Sequence, residues 1–135
     1  MAAEATIITL LGNQGDPVEY IVADGGAIAK GTLMQISSSP QTATASSADG
    51  EFFCGIAATE KKASDGTVVM SCITHCIADM TAGTGATTFG QPQKLSGANL
   101  VIDADDDTIA NAAEVVGVSL ETVADGARGA VLVNI

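Results

Sequence analysis

Residues 23–37 read ADGGAIAKGTLMQIS and residues 82–96 read AGTGATTFGQPQKLS; at a constant offset of 59 the two windows share one glycine frame. Ala23 matches Ala82, Gly26 matches Gly85, Ala27 matches Ala86, Gly31 matches Gly90, Ile36 matches Leu95 and Ser37 matches Ser96. The register continues downstream at offsets of 62, 60 and 63: Gly55-Ile56-Ala57 against Gly117-Val118-Ser119, Asp65-Gly66 against Asp125-Gly126, and Val68-Val69-Met70 against Val131-Leu132-Val133. A period of this length means that one supersecondary unit is used twice. The fold must therefore be one that two similar halves, about residues 23–73 and 82–133, can assemble.

Local pattern says what the halves are made of. Helical periodicity is almost missing. Apolar residues alternate in short runs, among them Val18, Tyr20 and Val22, Met34 and Ile36, Leu100 and Ile102, and Val116, Val118 and Leu120. Turn pairs such as Asp24-Gly25, Asp49-Gly50, Ser96-Gly97 and Asp125-Gly126 separate them, which is the signature of an all-β chain. The expected fold is a small barrel or sandwich built from two similar strand–turn–strand halves, closing on each other to hide strand edges. An extended N-terminal segment precedes it, and at most one short helix, Asp107 to Glu114, interrupts it. Residues 1–17 are an N-terminal arm or edge strand and residues 18–135 a single β domain.

Composition limits stability and partners. Of 135 residues 23 are alanine, so each core position buries little apolar area and the domain should be modestly stable by itself. Sixteen acidic residues against five basic ones give a net charge of −11, the wrong field for nucleic acid or an anionic membrane. No run approaches the length of a membrane span, and the first residues, MAAEAT, do not read as a signal peptide. Three cysteines, with no CxxC pair, give neither a disulfide framework nor a zinc site, as expected for a chain made in a reducing cytoplasm.

The leading segment Thr6-Ile7-Ile8-Thr9-Leu10-Leu11 is rich in β-branched residues and carries no charge. It reads either as the first strand of the barrel or as an edge that pairs with another chain, since an uncharged edge is a template for strand addition. Asp103, Asp105, Asp107 and Glu114 fall on positions 1, 3, 5 and 12 of a calcium-loop template. Thr108 stands where that loop needs glycine, so a solvated acidic turn competes with a metal site. In Cys72-Ile73-Thr74-His75-Cys76, a continuous strand puts the two cysteines roughly 13 Å apart, too far to share a metal. No phosphate cradle, nucleophile elbow or paired-carboxylate signature occurs, so no catalytic residue, cofactor or enzymatic activity is expected.

Gly31, the GIA of Gly55–Ala57, Asp65-Gly66, Gly90, the KLSG of Lys94–Gly97 and the late GVSLETVADG run through residues 18–134 in one order. That order resembles the capsid decoration, or cement, proteins of tailed bacteriophages, a family long catalogued as a domain of unknown function. The resemblance implies a small all-β structural protein of the virion, made in the host cytoplasm. Such a protein binds the outer surface of the expanded capsid, commonly as a trimer, and cements neighbouring major capsid protein subunits. Thr6 to Leu11 are then the candidates for contact with the capsid or a neighbouring subunit. The acidic run and the cysteines lie outside the resemblance and leave open a calcium-dependent binding or adhesion module on the virion surface.

Overall fold

The computed structural model describes residues 2–10, 17–104 and 114–135. Eleven strands follow one another among them: β1 (Thr6–Leu10), β2 (Val18–Ile21), β3 (Leu33–Ile36), β4 (Ala43–Ala45), β5 (Phe53–Ala57), β6 (Val69–Ile73), β7 (His75–Ala82), β8 (Pro92–Gly97), β9 (Leu100–Asp103), β10 (Val115–Ser119) and β11 (Arg128–Asn134). No α-helix occurs among the described residues, and the helix expected at 107–114 lies outside them except for Glu114.

The strands form a five-stranded sheet of order β2-β6-β5-β3-β4 and a six-stranded sheet of order β1-β7-β11-β10-β8-β9. Setting β1 aside, the two orders are the same when β2, β3, β4, β5 and β6 are matched to β7, β8, β9, β10 and β11. The pairings repeat residue by residue. Leu33 faces Ile56 as Pro92 faces Val118, and Met34 faces Gly55 as Gln93 faces Gly117. Ile36 faces Ala43 as Leu95 faces Val101. The small bridges recur too, Ile28 with Lys61 and Thr87 with Val123. The all-β class and the two similar halves are thus both present. Each half is larger than a strand–turn–strand unit, and with five strands it can curl around its own core. In the second unit, parallel pairing of Thr81 with Leu100 and Ala82 with Val101 closes the sheet into a barrel. In the first unit one parallel bridge, Ile21 to Thr42, makes the corresponding closure.

One alignment shifts. Ala57 pairs with Cys72 where Ser119 pairs with Val131, so Val131 corresponds to Cys72 and not to Val68. Likewise Cys72 and Cys76 do not share a strand. The chain leaves β6 after Ile73 and starts β7 at His75, and the two strands belong to different sheets.

Cores follow the alternation. Val22, Ile28, Met34, Cys54, Met70 and Cys72 fill the first unit. Cys76, Ala78, Met80, Leu95, Val116, Val131 and Val133 fill the second, joined by Leu33, Phe53 and Ile56 from the first. Strand β5 is consequently buried along its whole length, because alternate side chains enter opposite cores. Polar bonds complete the seam between units. Asn99 Oδ1 accepts the Leu33 N–H (2.9 Å), and the Asn99 N–H donates to Ser46 Oγ (2.9 Å).

Candidate functional site

The site with the clearest outward offer is the edge of the six-stranded sheet. The β-branched run Thr6-Ile7-Ile8-Thr9 favours extended backbone, and β1 pairs antiparallel with β7 through Thr6–Asp79, Ile7–Ala78, Thr9–Ile77 and Leu10–Cys76. A register shift between Ile7 and Thr9 marks a bulge. Ile7 packs against the second core, whereas Ile8 is 57 % and Leu10 52 % exposed. Leu11 lies outside the described residues.

The strand is held at its start. Ala5 is buried, and its N–H donates to the Gly31 carbonyl (2.8 Å). Gly31 has φ +89°, and a Cβ there would run into the Ala5 carbonyl oxygen, so glycine is required for both reasons. Arg128, the only arginine, donates to the Glu4 carbonyl (2.9 Å), Thr6 Oγ1 (3.2 Å) and the Asp79 carbonyl (2.8 Å). Its Nε also pairs with the Asp79 carboxylate (3.3 Å). The segment thus enters as a docked edge strand of its own chain. A groove of about 540 Å³ runs beside it, lined by Thr6, Ile8, Leu10, Lys30, Ala58 and Ile73 among others. Lys30 forms no ion pair among the described residues.

The acidic run is only partly described. Asp103 ends β9, and its Oδ1 accepts the Thr88 N–H (2.8 Å) and the Gln93 Nε2–H (2.7 Å). Burial raises the carboxyl's pKa, but the bonds from Thr88 and Gln93 outweigh it and hold the group below its ordinary value. Glu114 immediately precedes β10; Asp105 and Asp107 lie outside the described residues. Among the described residues no group of three or more His, Cys, Asp and Glu side chains could hold a metal ion.

The cysteines are buried and unbridged. Cys54, far from Cys72 in sequence, lies beside it: their thiol–thiol hydrogen bond, then burial, raises Cys54. Burial pushes Cys76 up to about 11. Sequence reasoning also passed over Lys61. Its ammonium has no exposed surface and donates to the carbonyls of Asp24, Gly26 (2.9 Å) and Lys62 (3.2 Å), with the carboxylates of Asp24 and Asp65 at 3.8 and 3.9 Å. The second unit has Val123 in that position; a lysine opposite a valine in the repeat was the available signal. Neither a known protein family nor a curated protein matches the chain.

Proposed function

We propose that the protein is a structural virion protein that binds the outside of an expanded phage capsid and cements neighbouring major capsid protein subunits, working as a trimer. One observation carries the proposal: an uncharged edge strand, held by Arg128 and Gly31, presents Ile8 and Leu10 half-exposed to solvent. An edge of this kind joins another chain by ladder hydrogen bonds worth about 1 kcal/mol each net. Covering the exposed halves of two aliphatic side chains adds about 1 kcal/mol apiece. The terms are small singly, and they suit a protein bound in many copies over a repeating surface. A net charge of −11 keeps unbound copies apart and away from nucleic acid.

The test uses the paired substitution Ile8→Lys and Leu10→Lys. Both side chains already meet water, so the variant should keep the wild-type circular dichroism spectrum. Co-sedimentation with expanded shells is then expected to fall to background. Full occupancy by a folded variant removes β1 from the contact.

A further inference from the structure

We infer that the outer edge of β1 binds the open edge of β2 in a second copy of this chain, with Lys30 of one copy facing Glu19 of the other. The inference keeps the docking role proposed for β1, names its occupant, and needs no capsid.

The repeat supplies the first ground. Strands β2 and β7 correspond, since Val18 faces Cys72 as Ala78 faces Val131, and Tyr20 faces Met70 as Met80 faces Gly129. The stretch of β7 that β1 covers includes Ala78 and Asp79, whose counterparts are Val18 and Glu19. Among the described residues no strand covers that side of Val18 and Glu19, because β2 pairs with β6 and touches β4's side only through Ile21 and Thr42. Val18 and Ile21 are 41 % and 50 % exposed. One unit thus shows its first strand accepting a neighbour on this side; in the other, no strand among the described residues covers the same side.

Charge supplies the second ground. Copies at −11 repel each other everywhere except where a cation meets an acid. Lys30 lines the groove behind β1, and Glu19 is exposed on β2. Neither forms an ion pair among the described residues. The same chain therefore carries an uncharged strand with a cation beside it and an apolar strand with an acid on it. Because the two edges differ, the contact is head-to-tail and propagates until a ring closes, which agrees with the trimer proposed above.

Sedimentation equilibrium on the full chain tests this, from about 10 to 500 µM, the range suited to so short a join. The variants are Ile8→Lys, Glu19→Lys, Lys30→Glu and the exchange Glu19→Lys with Lys30→Glu, each checked for wild-type circular dichroism. Wild-type protein is expected to associate. Each single variant should weaken association about tenfold or more, as a like-charge contact or a charged edge does. The exchange variant should recover it. Wild-type protein that stays monomeric to the top of the range overturns the inference, as does association unchanged by all three single variants or an exchange that recovers nothing. A monomer whose capsid binding is nonetheless lost in the Ile8→Lys, Leu10→Lys variant would leave the capsid function standing and assign the edge to the shell. Association that follows the charge exchange without any capsid binding would do the reverse.

Discussion

Lys61 shows how a single side chain can organise a turn cluster. An ammonium inside a protein is tolerated only where several acceptors converge on it, and the carbonyls of Asp24, Gly26 and Lys62 do so here. Lys61→Met keeps the stem and deletes the charge, leaving those carbonyls without their donor. We expect a loss of about 2–4 kcal/mol in urea unfolding; a loss below about 0.5 kcal/mol would mean that water replaces the ammonium at no penalty. The thiols behave oppositely, as inert filling. Cys54 and Cys76 are raised and Cys72 is lowered by its hydrogen bond with Cys54; because all three are buried, the folded protein should resist alkylation at neutral pH and take up three labels in denaturant. Among the described residues, two carboxyls are held low and contribute to acid sensitivity. Asp65 is held low by the Thr67 and Lys62 N–H groups, and Asp103 by Thr88 and Gln93 against burial. Depressed folded values give stability that is present above the unfolded value of about 3.9 and is lost as pH falls through the lower folded ones. Asp103→Asn should therefore flatten the fall in unfolding free energy between about pH 5 and 2.

At the scale of elements, the N-terminal strand depends on contacts that no local pattern reveals. Arg128→Met should leave the barrels folded and loosen β1, raising amide exchange at Thr6 to Leu10 by about tenfold or more as charge-assisted bonds to Glu4, Thr6 and Asp79 are lost. Unchanged protection would assign the anchoring to the Ala5–Gly31 bond alone. The strand itself was legible from TIITL, as were the turns at Asp65-Gly66 and Asp125-Gly126, where glycines with φ +84° and +82° occupy matching places. Other features were hidden for physical reasons. Thr74 divides β6 from β7 within an unbroken run of strand-forming residues, so alternation passes through the division unmarked. Strand β4 is Ala-Thr-Ala, too small for amphipathic contrast. Lys30 is placed beside β1, and Glu19 on the outer side of β2, only by the topology and the repeat.

Across the whole molecule the two units share a boundary made of apolar contacts and buried polar bonds. Leu33, Phe53 and Ile56 leave their own unit to complete the other core, and Asn99 binds Leu33 and Ser46 across the boundary. Such coupling should give one cooperative unfolding transition. The only tyrosine, Tyr20, reports the first unit, and far-ultraviolet circular dichroism reports both. The two signals are expected to coincide in urea. Asn99→Ala strands the buried Leu33 N–H while the backbone bond to Ser46 remains, at about 1–3 kcal/mol, and should pull the two curves apart. Curves that still coincide would place the coupling in the apolar contacts. The guanidinium that fixes Glu4 stands 124 residues further along the chain. During synthesis, then, Glu4 and its neighbours leave the ribosome long before the side chain that fixes them. They wait until β7 and β11 exist to receive them. On a nascent chain β1 can be fully anchored only after β11 has been made, so its ordering is timed by translation itself.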